Sequence, residues 1–291
     1  MTIYKPISLN LVASTQFGTG RIAVAASNHL WSWKPYPGTA DQNLDLQWAV
    51  NNQYGSDYRI IHKGVHKDDW KAFAPNLNNY YVLPVLQVAS DYFFDIEGVK
   101  QALLNLNSLT ASIREFYRLQ VGKTFRLLEP ICQYSELNSQ QWYDLAQLSL
   151  YDSHRAEYGD KAIATLKDRF GQVMNPNLIY LVTQFCGFNP AKIANKISPY
   201  GAINRGNISV IPATACLEQR TTTDPNDFNS LFACGHELGH AFGLPHTDQN
   251  SVDKLTPGWG NSIMQWGWNG LDNANLLPCE IDKLKTSPFF F

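Results

Sequence analysis

The rhythm of apolar and polar positions changes about a third of the way along the chain. Before residue 95, apolar residues come in short runs, "GRIAVAA", "LQWAV" and "DYRIIHK", separated by Asn, Gly, Pro and Asp. β-Branched and aromatic runs bounded by turn formers predict strands. From Asp95 onward, "IEGVKQALLNLNSLTASIREFYRLQ" places Val99, Leu103, Leu106, Ile113, Phe116 and Leu119 at helical spacing. "KTFRLLEPI" then predicts a strand, "SQQWYDLAQLSLY" and "YGDKAIATLKDRF" helices, and "NLIYLVTQF" and "GNISVIPATA" two further strands. The chain closes with a short helix, "PCEIDKLKT", and an aromatic tail. Strands alternating with helices imply an α+β fold with a mixed sheet backed by helices. The change of rhythm divides the chain into a β-rich N-terminal segment, residues 1–94, and a larger domain, residues 95–291.

Composition narrows the function classes. The 291 residues are 44% hydrophobic and 16% charged, enough for one large core or two ordinary ones. A net charge of −2 with no block of Lys or Arg points away from nucleic acid and anionic membrane surfaces. No apolar run approaches the roughly 18 residues of a transmembrane segment. The N-terminus shows no basic stretch followed by a clean apolar one, so no signal peptide is visible and the compartment stays open. Five cysteines cannot all pair within one chain, and the lack of any CxxC disfavours a cysteine-based zinc site.

The densest chemistry lies in "GHELGHAFGLPHTD", Gly235 to Asp248. Asp224 and Pro225 punctuate the start of a helix, and Phe228, Leu231 and Phe232 supply its buried face. On that helix His236 and His240 lie one turn apart, about 40° round the axis, so both imidazoles reach one ion. Glu237 is too far round to be an equivalent ligand, yet close enough to touch a water on that ion. Had the helix continued, His246 would point about 240° away from His240. Gly243 can take the left-handed conformation that turns the chain, and Pro245 cannot continue a helix. The helix therefore breaks where a return of His246 requires it. His-Glu-x-x-His alone arises by chance in about half a percent of such chains, and with Gly243 and His246 added the figure falls below about one in ten thousand.

The run from His236 to His246 resembles the metzincin signature HExxHxxGxxH in full, and "NSIMQWG", with Met264, is similar to the Met-turn of those zinc peptidases. The resemblance implies a metzincin-like catalytic domain: a mixed sheet with backing and active-site helices, and a small C-terminal subdomain carrying the Met-turn. It implies that His236, His240 and His246 bind a zinc ion (Zn2+) through neutral imidazoles, with Gly243 and Met264 as structural support. Glu237 would be the catalytic base for a zinc-bound water and would pass its proton to the leaving amine. The activity implied is that of a zinc endopeptidase on a protein or peptide substrate held against a sheet edge. Gly206–Ala213 is a candidate for that edge strand, an interior strand being the other reading of the same run. Residues 1–94 would be an accessory or pro-segment able to cover the cleft.

Subfamily stays undecided. Astacins and serralysins carry Tyr two residues after the Met, where this chain has Trp266, whose indole offers no oxygen ligand. Thr247, after the third His, is closer to the pappalysin-like branch, and "LLPCEIDKLKTSPFF" resembles the ends of uncharacterised bacterial metzincins.

Other signals open a competing class. "DLQWAVNNQYGSDYRIIHKG" resembles one ricin-type β-trefoil repeat, which implies carbohydrate contact through the N-terminal segment. The alternative function is therefore a carbohydrate- or protein-binding module whose zinc is structural and non-catalytic. Asp248 is either a carboxylate that orients a ligand histidine or an ordinary surface acid. Cys234 falls about 200° from His236 and should face the core, bridged to Cys216 or as a buried thiol. His62 and His66 read as a solvated loop, and "WSW" and "WGW" as packing aromatics in preference to sugar platforms.

Overall fold

The computed structural model describes residues 4–17, 22–26, 29–36, 44–55, 58–62, 70–74, 79–92, 95–148, 156–170, 174–185, 203–211, 230–249, 254–265 and 273–291. In chain order its elements are β1 (Tyr4–Pro6), α1 (Leu9–Phe17), β2 (Ile22–Ala26), β3 (His29–Tyr36), α2 (Leu46–Tyr54), β4 (Arg59–His62), β5 (Trp70–Phe73) and β6 (Tyr81–Val88). There follow α3 (Ile96–Val121), β7 (Ile131–Tyr134), α4 (Ser139–Leu148), α5 (Glu157–Phe170), β8 (Leu178–Phe185), β9 (Ile203–Arg205), β10 (Ile208–Val210), α6 (Ser230–Ala241) and α7 (Pro278–Thr286). The class is α+β, as the alternation of elements predicts.

An eight-stranded sheet runs in the order β1-β5-β4-β7-β6-β8-β10-β9, and β2 and β3 form a separate hairpin. The four central strands β7, β6, β8 and β10 are parallel, while β9 and the β4-β5-β1 side pair antiparallel. Parallel strands must be covered on both faces, and β8 is buried along its whole length. Leu178, Tyr180 and Val182 join Trp142, Tyr158, Leu166 and Phe170 of α4 and α5 on one side. Ile179 and Leu181 join Leu106, Ile113 and Tyr117 of α3 on the other, together with Leu238, Met264 and Phe290. The two helical layers therefore sandwich the sheet, and the α3 side carries α6.

Three buried glutamines cross the parallel strands in register. Gln184 Nε2 donates to Gln87 Oε1 (3.0 Å) and Gln87 Nε2 donates to Gln133 Oε1 (3.0 Å) and to the Ala162 carbonyl (2.9 Å). The Tyr158 hydroxyl donates to Gln184 Oε1 and Gln133 Nε2 donates to the Thr165 carbonyl, so the ladder is tied to α5 at both ends. A one-residue slip would strand these amides unpaired in the core, which fixes the register.

Several expectations change. "LQWAV" is helical in α2: the Asp45 side chain caps it by accepting from Trp48 N–H, and Leu46, Ala49 and Val50 are buried at i, i+3 and i+4. The first strand expected of the trefoil-like unit is therefore a helix. "KTFRLLEPI" makes isolated bridges, Val82 with Leu127 and Phe125 with Phe290, and regular pairing begins only after Pro130, at β7. Of the two readings of Gly206–Ala213 the interior one holds for β10, which lies between β8 and β9, and among the described residues β9 is the last strand on that side. The sheet draws β1, β4, β5 and β6 from before residue 95 and β7 to β10 from after it. Among the described residues no helix is long and apolar enough to cross a membrane.

A three-histidine centre on α6

α6 lies very close to the 262–265 turn because two of its residues lack side chains. A Cβ on Gly235 would sit 2.4 Å from Ile263 Cδ1, and one on Gly239 would sit 2.4 Å from Met264 Sδ and 2.9 Å from the Tyr117 hydroxyl. That hydroxyl, fully buried on α3, donates to the Gly235 carbonyl at 2.8 Å and so holds the helix at the turn before the histidines. Cys234 faces the core, as its helical angle predicts. Asp224, Pro225, Phe228, Cys216 and Trp266 lie outside the described residues, as do His66 and the "WGW" run.

The helix ends at Gly243, which has φ +94°. Gly243 N–H donates to the His240 carbonyl and Leu244 N–H to the Gly239 carbonyl, both at 2.9 Å. This crossed pair is the Schellman closure, which needs a residue at positive φ. The chain then doubles back through Pro245 and brings His246 to the helix.

The three imidazoles converge. Their Nε2 atoms are separated by 3.1 Å (His236–His240), 3.0 Å (His240–His246) and 3.3 Å (His236–His246). Two outer nitrogens are fixed by backbone carbonyls: His236 Nδ1 lies 2.7 Å from the Ile263 oxygen and His240 Nδ1 lies 2.8 Å from that of Leu244. A carbonyl can only accept, so Nδ1 carries the proton and, in the neutral ring, Nε2 turns a lone pair to the centre. Burial, with the His240 charge second, pulls the His236 pKa down to about 3. Burial also lowers His240 and His246, the latter against the pull of the Asp248 carboxylate. Asp248 itself is exposed in the short 3₁₀ turn Thr247–Gln249 and acts on His246 through its charge.

Facing lone pairs about 3 Å apart repel unless an electrophile lies between them. A tetrahedral ion with three nitrogens at roughly 2.0–2.1 Å requires N···N separations of about 3.3 Å, close to those seen. The donor set thus fits zinc, and three protein ligands leave a fourth position open, as catalytic sites do. Among the described residues this is the group of His, Cys, Asp or Glu side chains able to hold a metal.

Glu237 follows the first histidine and is buried, which raises its carboxyl pKa to about 8. Its backbone is anchored to the sheet: Ser209 Oγ of β10 donates to the Glu237 carbonyl at 2.8 Å and accepts from Asn204 Nδ2 at 3.0 Å. Met264 is fully buried with its sulfur against Gly239, and its carbonyl accepts from Thr247 N–H at 3.2 Å. Sequence reasoning missed Tyr117, Ser209 and Ser262. Only the Gly235-x-x-x-Gly239 spacing, which permits close approach to a helix, could have hinted at the first.

Fold and site together define an α+β protein with a histidine triad able to hold a metal ion, carried on one helix and the turn after it. No family model matches the chain, and no curated protein matches it. Among solved structures it is similar to wild-type OgpA from Akkermansia muciniphila, with 12% identity and a TM-score of 0.44 over 72% of this chain and 61% of that one. Catalytically inactive OgpA in complex with an O-glycopeptide substrate, glycodrosocin, aligns at 12% identity and a TM-score of 0.42 over 73% of this chain and 61% of that one. Archaemetzincin from Methanopyrus kandleri aligns at 15% identity and a TM-score of 0.38, over 73% of this chain and 97% of that one. The chain spans about three-fifths of the length of the OgpA chains it matches.

Proposed function

We propose that the protein is a zinc-dependent endopeptidase of metzincin type, with His236, His240 and His246 as ligands and Glu237 as general base. The observation that carries this reading is the convergence of three Nε2 lone pairs beside a buried glutamate. When bound, the ion supplies Lewis acidity for the scissile carbonyl and makes water a stronger acid. Glu237 takes the proton from the attacking water and delivers it to the leaving amine nitrogen. The Ser209 hydrogen bond holds the Glu237 backbone so that the carboxylate does not drift during that transfer. Gly243 ends the helix and returns His246, and Met264 supports α6 by packing its sulfur against Gly239.

A purely structural zinc gives the buried Glu237 no role, and burying a carboxyl without use is costly. Among the described residues β9 is the last strand on its side of the sheet, and such an edge offers backbone groups to which an extended protein or peptide substrate can add as a strand. The test is cleavage of unfolded protein by the zinc-loaded chain and by Glu237→Ala. Loss of cleavage with zinc retained supports the reading, whereas equal cleavage by both overturns it.

A further inference from the structure

The carboxyl of Glu280 is almost completely buried, although it lies on α7, the last helix of the chain. Ser262 Oγ donates toward Glu280 Oε1 and Oε2, each at 3.0 Å, and Leu277 N–H donates to Oε2 at 2.8 Å. The same Ser262 oxygen accepts from Met264 N–H at 3.1 Å. Burial raises the Glu280 pKa and these donors oppose the rise, so the acid depends on its partners.

What Ser262 holds is the turn that orients the ligands. The next residue, Ile263, supplies the carbonyl that fixes His236 Nδ1 at 2.7 Å. The one after it, Met264, supplies the carbonyl that receives Thr247 N–H, immediately behind His246, at 3.2 Å. Met264 Sδ also abuts Gly239, one residue before His240. A hydrogen-bonded chain thus runs from Glu280 through Ser262 to the turn, and from the turn to the first and third histidines. We infer that Glu280 and Ser262 are positioning residues for the histidine triad: they set the 262–264 turn and thereby the aim of the imidazoles at the metal.

The bland role for Glu280 is to cap α7, since its bond to Leu277 N–H does that alone. Ser262 separates the two roles, because removing its hydroxyl leaves the cap intact and frees the turn. Outer partners of metal ligands are worth about 10–100-fold in affinity. The proposal rests on the zinc reading above, so its test is metal binding, not proteolysis.

The full chain would be prepared as wild type, Ser262→Ala, Ser262→Thr and Glu280→Gln. Zinc affinity is measured by chelator competition, the ligand field by the cobalt(II) visible spectrum, and the fold by urea titration of the metal-free form. Ser262→Ala should lose about tenfold or more in zinc affinity and shift the cobalt bands. Ser262→Thr, which keeps a hydroxyl, should restore both, and Glu280→Gln, able to accept from Leu277 N–H and Ser262, should lose less than Ser262→Ala. Wild-type affinity and an unchanged cobalt spectrum in Ser262→Ala overturn the inference even if the chain proves an active peptidase. So does an affinity loss that Thr fails to restore and that only tracks the urea midpoint. Wild-type protein that binds zinc but cleaves nothing defeats the peptidase reading while leaving this one standing. Wild-type protein that binds no zinc defeats both.

Discussion

Gly239→Ala isolates the close approach on which the triad rests. An alanine Cβ would lie 2.4 Å from Met264 Sδ and 2.9 Å from the Tyr117 hydroxyl, whereas ordinary contact begins at 3.4 Å. The sulfur must therefore retreat by about 1 Å, and neither neighbour is loose. Met264 and Tyr117 are both fully buried, and Tyr117 is held by its bond to the Gly235 carbonyl. Overpacking of this kind costs about 1–3 kcal/mol, and losing the tyrosine bond would add about 1 kcal/mol. Against this, alanine is the better helix former by about 1 kcal/mol. The balance is a loss of about 1–3 kcal/mol, read from the urea midpoint of the metal-free protein at unchanged slope. Zinc affinity should fall as well, because the displaced turn carries the carbonyl that fixes His236. A variant more stable than wild type by about 1 kcal/mol, with full zinc affinity, would show that propensity alone operates and refute the packing argument.

Gly243→Ala meets no neighbour closer than Lys283 Cε at 3.8 Å, so its cost is conformational; φ +94° should take about 1–2 kcal/mol and weaken zinc binding by misplacing His246, measured by chelator competition. Phe290→Ala removes a ring packed at 4.9 Å from Phe242 and 5.9 Å from both Tyr117 and Phe125, and should cost about 3–5 kcal/mol by urea titration. For the metal-free protein, His236 at about 3 against 6.5 means that the unfolded chain holds the extra proton, so stability falls as pH drops below 6.5. Glu237 at about 8 against 4.5 works oppositely, and its contribution is lost as pH rises through 4.5–8. With His240 and His246 adding to the acid side, the metal-free urea midpoint should peak near pH 6.5 and decline on both flanks; a midpoint still climbing from pH 6.5 to 8 would contradict it. A chain beginning at residue 95 would lack β6, the strand between β7 and β8, and should show no cooperative unfolding by circular dichroism.

The legible parts of the sequence were those with a long period or a fixed offset. α3 could be read from its apolar spacing because 26 residues give the helical period room to show. The offsets from His236 to His246 carry their own geometry, since Gly243 and Pro245 dictate where a helix must stop. Five-residue "LQWAV" shows both periods equally, and only the Asp45 cap decides for a helix. The sequence leaves edge and interior equally open for β10, because β9, three residues long, is too short to announce itself and pairs with β10 only in the folded sheet. Tyr117, Ser209 and Glu280 act on the site from 118, 28 and 18 residues away from the groups they touch. Local patterning carries no trace of such contacts. The change of rhythm falls at residue 95, and the sheet pairs β6 with strands on the far side of it.

The most direct test is metal content and peptide-library cleavage measured together on wild-type protein and Glu237→Ala. One zinc per chain in both, with cleavage by the wild type and none by the variant, is the predicted result. Cleavage by Glu237→Ala at the wild-type rate, or wild-type protein that holds no zinc, would contradict the account.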